Sequence, residues 1–241
     1  MSLYVYTPSL DGQISGDTHD SIIRLVTSGA RIKAIFDKTN HDLVRARSRA
    51  VARFLSTDFS HLLFVDSDVG FDPKCVQGMM LQHVDVISTP YPKKRLMLSK
   101  YKEAIQADFS HPSAALHEWG FRRKPGNLEA EGEKAEVLDV PMGLTLISRE
   151  CLETMTEHFR STLGFQDMPD MGDSGGRVTD CVALFQLMIK PSPDGKGWLM
   201  PEDFSFCERW RAIGGRVHIY IGDGSPATHW GAYRFSSDVE D

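Results

Sequence analysis

Three features of this 241-residue sequence predict an α/β fold with a mostly parallel central sheet flanked by helices. Residues 3–8, 31–36 and 62–65 are strand-like runs separated by stretches of helical periodicity, the alternation that builds a parallel sheet. Leu62, Leu63, Phe64 and Val65 are apolar at every position, as a strand buried on both faces requires. That run ends in Asp66 and Asp68, and in open α/β sheets ligands bind in the crevice beyond the carboxyl ends of the strands. No linker or internal repeat divides the chain, so a single domain over 1–241 is expected.

The first strand, 3–8, is followed by a polar loop with Gly12 and Gly16 and by an amphipathic helix carrying Ile22, Ile23, Leu25 and Val26, which Gly29 ends. The second strand, 31–36, leads through a loop at 37–42 into a helix over 43–55, where Leu43, Ala46, Ala50, Val51 and Phe54 recur at helical spacing. Four arginines share that helix. Arg45, Arg49 and Arg53 read as its solvated face, whereas Arg47 lies nearer the apolar stripe, where an unpaired guanidinium is costly. Arg47 is therefore a candidate for binding an anion, with a structural salt bridge as the equal alternative.

Asp66 and Asp68, one residue apart at a strand end, suit a hard divalent cation carrying substrate phosphates. The plainer alternative is that Asp66, Ser67 and Asp68 form a turn ahead of a helix that begins near Pro73. That helix runs to residue 81, and 84–89 is the next strand. In TPYPKKR two prolines flank Tyr91 and hold the backbone extended, so Lys93, Lys94 and Arg95 project from a stiff rim, either toward a diphosphate or as a solvated basic loop.

Residues 96–136 show no sustained period and read as an insertion, a hairpin being one form of it. Strand character returns at 137–148 around a Pro-Met-Gly break, where Gly143 suggests a close backbone approach. A helix follows over 149–159. Residues 163–180 have the composition of a mobile loop with no regular element, and 182–189 is strand-like. Pro201, Glu202 and Asp203 open a helix with Phe206 and Trp210 at helical spacing, ended by Gly214 and Gly215. The last strand, 217–221, leads into GDGSPATHWG, and Trp198 and Trp230 read as packing residues.

The net charge of −6 and a pI near 5.8 argue against nucleic-acid binding and leave small phosphorylated ligands open. Cys75, Cys151, Cys181 and Cys207 are far apart with no paired spacing, which disfavours zinc and a disulfide framework. With no signal-like leader and no apolar run of membrane-spanning length, a soluble protein of the cytoplasm is expected, that of the host if a virus encodes it.

Four stretches in order, LVRARSRAVARFL, HLLFVDSDVGFDP, VPMGLTLISRECLETM and PEDFSFCERWRAIGG with THWG, resemble the GT-A fold glycosyltransferases, especially family-2-like inverting enzymes and small versions encoded by phages and large viruses. The resemblance implies a Rossmann-like GT-A domain. It places metal and nucleotide sugar at Asp66 and Asp68, a further metal ligand at His229 and the catalytic base at Asp203 beside Glu202. Asp37 falls where the family holds the nucleotide base, and Arg47, Lys93 and Lys94 are the further donor-binding candidates. Implied with them are Mn²⁺ or Mg²⁺, a UDP- or GDP-sugar donor, and a glycan or other hydroxyl acceptor.

The chemistry is coherent on its own terms. A cation stabilises the departing diphosphate, and a single carboxylate opposite the leaving group takes the acceptor proton, giving inversion. Two rivals come from other classes. A haloacid-dehalogenase-like phosphatase fits FVDSDV and IGDG, but its paired aspartates would lie on the first strand and PEDFSFCERW would have no role. A non-catalytic nucleotide- or carbohydrate-binding module with a structural cation is the other.

Overall fold

The computed structural model describes residues 2–38, 42–108, 117–167, 179–192, 194–222 and 227–231. The chain opens with β1 (Ser2–Ser9), α1 (Gly16–Val26), β2 (Arg31–Lys38) and α2 (Leu43–Leu55), the strand-helix-strand start its periodicity predicts. Then come β3 (His61–Val65), the short β4 (Val69–Gly70), α3 (Pro73–Leu81), β5 (Val86–Ser88), β6 (Pro92–Leu96), α4 (Leu98–Gln106) and β7 (His117–Trp119). Next are β8 (Ala130–Glu131), β9 (Lys134–Val137), β10 (Leu144–Ser148), α5 (Arg149–Leu163), β11 (Gly164–Asp167) and β12 (Thr179–Val182). The chain continues with β13 (Met188–Lys190), β14 (Trp198–Met200), α6 (Glu202–Ala212), β15 (Val217–Tyr220) and β16 (Thr228–His229).

Local chemistry sets the helix starts. Ser15 accepts from Thr18 N, Asp42 from Arg45 N, Asp72 from Lys74 N with Pro73 in the first turn, and Ser148 from Cys151 N, each satisfying a backbone donor that the helix leaves free. Gly214, at φ 94°, lets the chain turn after α6 in a conformation that side chains with a Cβ rarely adopt.

Eight strands form the central sheet in the order β2-β1-β3-β10-β5-β15-β9-β8. β2, β1 and β3 are mutually parallel, β10 runs against both β3 and β5, β15 is parallel to β5, and the β8–β9 hairpin closes the far edge. Only β9 and β10 therefore oppose the common direction, which is the mostly parallel α/β sheet expected. β3 sits in the middle, and its last four residues are buried because both faces are covered. On one face Phe54, Leu152, Met155, Phe206 and Trp210 from α2, α5 and α6 pack against Tyr4, Tyr6, Phe64 and Ile147. On the other, Leu25, Val76 and Met79 from α1 and α3 pack against Leu3, Val5, Leu63 and Leu146.

Several sequence expectations need correction. Residues 96–136 hold more regular structure than their pattern suggests: the helix α4, and at their end the β8–β9 hairpin, one form expected of them, which forms the far edge of the central sheet. At 163–180 the flanks are regular, with β11 paired antiparallel to β12, and the glycine-rich stretch 168–178 lies outside the described residues. The expected strand at 182–189 is broken: Val182 belongs to β12 and Met188 to β13, while Leu184 and Phe185 between them are buried in the core. Apolar content there reports burial, not strand continuity.

Arg45 and Arg49 are not a solvated face. Both grip the buried carboxylate of Asp167, which they hold below the ordinary value even though burial pushes it up. Trp198 and Trp230 are 57% and 55% exposed and so are not packing residues. All four cysteines are buried free thiols. Among the described residues no helix is long and apolar enough to cross a membrane.

Candidate active site

The carboxyl end of β3 meets the start of α6 through one side chain. Arg47, on the inward face of α2, is 2% exposed; its Nη2 lies 3.2 Å from Asp66 Oδ1 and its Nη1 donates to Glu202 Oε1 at 2.7 Å. Its guanidinium lies 5.8 Å from the Phe64 ring centroid and 5.9 Å from that of Phe185, while Nε has no hydrogen-bond partner among the described residues. Burial lowers the proton affinity of Arg47, but Asp66, Glu202 and Asp203 together more than restore it, so the group is a fixed cation. The salt-bridge alternative for Arg47 is thus realised.

Asp203 stands next to Glu202 in the first turn of α6. Burial first, and then the Glu202 charge, push its carboxyl up to about 6 against the opposing pull of Arg47 and of the Phe204 N–H, which donates to Oδ1 at 2.7 Å. A carboxylate that takes up a proton near pH 6 is suited to accept one from a hydroxyl near neutrality. Arg47 thus joins a carboxylate from mid-sheet to the acidic pair of a helix 155 residues later in the chain.

The turn after β3 is tied from three sides. Ser15 N donates to Ser67 O at 2.8 Å, Asp66 N donates to Gly143 O at 2.9 Å, and Trp230 N donates to Asp68 O at 2.8 Å. Gly143 explains its own identity: a Cβ there would lie 2.2 Å from the Tyr91 hydroxyl and 2.8 Å from Asp66 Oδ2. Tyr91 is buried, its hydroxyl accepts from Gly143 N at 3.0 Å, and burial raises its proton affinity well above the usual phenol range.

Asp68 faces the other way. Lys94 Nζ pairs with its Oδ2, and His229 Nε2 lies 3.6 Å from its Oδ1; burial raises this carboxyl but the His229 and Lys94 contacts outweigh it and bring it to about 2. β16 carries His229 onto β4, and Tyr91 meets the imidazole edge-on at 5.1 Å. Trp230 donates its indole N–H to Asp17 at 2.8 Å. Lys93, on the opposite side of β6 from Lys94, pairs with the exposed Glu118. Asp37, at the end of β2, accepts from the Tyr6 hydroxyl and from Arg53 at 3.2 Å, so it stands apart from the Arg47 cluster.

Whether these residues suit a divalent cation can be tested on His229. Its Nδ1 is 2.8 Å from the Pro92 carbonyl, which only accepts, so Nδ1 carries a proton and Nε2 is the nitrogen turned toward Asp68. A carboxylate and an imidazole nitrogen are donor types that a divalent cation takes, and a carbonyl holding the far N–H is the usual support of a ligating histidine. Asp68 and His229 therefore fit by donor type, with Asp68 paired to Lys94 and Asp66 to Arg47. Among the described residues no three His, Cys, Asp or Glu side chains converge closely enough to hold a metal by themselves.

Sequence reasoning missed the Arg47–Glu202 bond, the role of Tyr91 and the Asp17–Trp230 contact. The proline-flanked tyrosine and the glycine in Pro-Met-Gly were signals, but nothing in the sequence pairs them.

No protein-family model matches the sequence, and no curated protein sequence matches it. Among solved structures, A197 from STIV is similar over 100% of both chains, with 17% identity and a TM-score of 0.48. A glycosyltransferase involved in the glycosylation of the major capsid of PBCV-1 covers 67% of this chain and 68% of its own, at 12% identity and a TM-score of 0.33. S. aureus TarS 1-349 covers 95% of this chain and 60% of its own, at 12% identity and a TM-score of 0.39. Likenesses of this depth decide neither activity nor substrate.

Proposed function

We propose that this chain transfers a glycosyl group from a nucleoside diphosphate sugar, a UDP- or GDP-sugar, to the hydroxyl of a glycan or other acceptor, with inversion. The observation that carries the reading is the convergence of Asp66, Glu202 and Asp203 on the buried Arg47, with the Asp203 carboxyl raised to about 6. A carboxyl raised toward neutrality by burial and a neighbouring charge is a candidate base.

In this mechanism the acceptor hydroxyl gives its proton to Asp203 as its oxygen attacks the anomeric carbon on the side opposite the leaving diphosphate. Arg47 holds Asp203 within reach of ionisation: without its positive charge the neighbouring carboxylates would keep Asp203 protonated to higher pH. Glu202, fixed by Arg47, orients the first turn of α6. Lys94 supplies positive charge beside Asp68 for the diphosphate, and Asp37 is the proposed contact to the nucleotide base. Asp68 and His229, with Asp66 behind them, would hold Mn²⁺ or Mg²⁺, which when bound stabilises the charge of the departing diphosphate.

The test is direct. Purified protein is offered a panel of nucleoside diphosphate sugars with Mn²⁺, and release of nucleoside diphosphate is followed. Release from a sugar nucleotide that is lost in Asp203→Asn supports the reading. Hydrolysis of a generic aryl phosphate with no action on any sugar nucleotide would instead support a phosphatase.

A further inference from the structure

The stretch from β6 through α4 carries charge opposite to that of the rest of the molecule. Pro92 to Gln106 holds five lysines and arginines against Glu103 alone, a net +4 in a chain of net −6. The fold gathers these charges beside β7. Lys93 pairs with Glu118 at 2.8 Å, and Arg95 and Lys100 lie close enough to that carboxyl to lower it further. Lys94 is paired with Asp68. Arg95, Lys100 and Lys102 are exposed and make no ion pair with a described residue, so the surface keeps an excess of positive charge.

α4 adds apolar surface to this charge. Ala104 is buried and Tyr101 half-buried, so these two residues seat the helix on the protein. Leu98 and Ile105, seven residues apart, fall on one flank of it and are 59% and 52% exposed. Lys102, four residues after Leu98, borders that flank, and its long stem lets the ammonium reach past the apolar pair. A helix with an aliphatic flank bordered by lysines suits the interface of a bilayer, with its aliphatic side chains among the acyl chains and its lysines at anionic headgroups.

Charge and apolar flank together select one partner. A nucleic acid answers the charge but leaves Leu98 and Ile105 in water, and an uncharged apolar partner leaves Arg95, Lys100 and Lys102 unmatched. We infer that the β6–α4 surface docks on a membrane containing anionic lipid, with Leu98 and Ile105 entering the bilayer and Arg95, Lys100 and Lys102 meeting its headgroups. The β13–β14 hairpin is the contrasting case. Ile189 and Leu199 face each other across it and are 73% and 69% exposed, but Lys190 is paired with Glu208 and Asp194 offsets Lys196, so that patch has apolar area without the charge. The inference is independent of the transfer reaction proposed above, because docking needs neither donor nor acceptor.

Vesicle flotation of the full chain tests it, with phosphatidylcholine alone and with an equal mixture of phosphatidylcholine and phosphatidylserine. The chain should float with the mixed vesicles and bind phosphatidylcholine at least about tenfold more weakly, and rising salt should release it. The double variant Lys100→Gln, Lys102→Gln should lose at least about fivefold in affinity for the mixed vesicles. The double variant Leu98→Gln, Ile105→Gln should lose at least about tenfold. Both alter exposed positions and should keep the wild-type Tm. Ile189→Gln with Leu199→Gln should float as the wild type does, and so should Asp203→Asn, which separates docking from the chemistry of the other site. Failure to float with the mixed vesicles, whether or not an RNA oligonucleotide binds instead, would overturn the inference. So would equal affinity for the two kinds of vesicle, affinity unaltered in either α4 variant, or an equal loss in the hairpin variant.

Discussion

Replacing Asp203 by Asn should stabilise the protein while abolishing its turnover. The Asp203 carboxyl is raised from 3.8 to about 6 by burial and by Glu202, so the folded state binds this proton more tightly than the unfolded state does. Wild-type stability accordingly falls as pH rises between about 4 and 6, and the penalty is complete above that window. At about 1.4 kcal/mol per pH unit the cost is about 3 kcal/mol at pH 8, about 1 kcal/mol at pH 4.5 and close to nothing below about pH 3.5. Partial solvation of the half-buried carboxyl reduces the first figure to about 2–3 kcal/mol. Asparagine keeps the shape and the acceptor for the Phe204 N–H without the charge, so Asp203→Asn should gain about 4–12 °C in Tm at pH 8. The gain should shrink to about a third at pH 4.5, and transfer should fall about 10²-fold or more. Thermal melts at the two pH values, alongside donor turnover, measure all three. No stabilisation at pH 8, or an equal gain at both pH values, would refute the claim that this carboxyl is held in an environment hostile to its charge.

Arg47→Met removes two charged hydrogen bonds but leaves carboxylates that are 22% and 30% exposed and can recover water, so a loss of about 2–4 kcal/mol, or about 5–15 °C in Tm, is expected by calorimetry. The same variant should move the acid limb of the rate profile to higher pH, since Arg47 is what lowers Asp203. Gly143→Ala forces a Cβ against the Tyr91 hydroxyl and Asp66, and should cost about 1–3 kcal/mol and depress turnover. Gly16→Ala, with no atom within 4 Å of the new Cβ, should stay within about 0.5 kcal/mol in the same melt. Chelation by EDTA should stop transfer and Mn²⁺ should restore it, with His229→Ala requiring more Mn²⁺ for half-maximal rate; undiminished turnover in EDTA would remove the cation from the mechanism.

The reach of the sequence follows from the range of the interactions involved. Helices at 43–55 and 73–81 could be read because caps, prolines and apolar spacing act within a few residues, and α2 and α3 lie where those signals put them. The buried middle strand was equally legible, because a run without polar positions leaves β3 no solvent face. Composition misled where burial and regularity part company: Val182 to Phe185 are buried without forming one strand, and the unpatterned 96–136 conceals the start of β9, whose partner, β15, lies some 80 residues further on. The site shows the same division. Asp66 and Asp68 could be nominated from their place after a strand, whereas Asp203 and His229 came from the resemblance. That Arg47 joins Asp66 to Glu202, that Asp68 turns to Lys94 and His229, and that Asp203 is raised were decided by the fold. Those properties depend on distances and desolvation among groups up to 155 residues apart in the chain, and only the tertiary structure sets them.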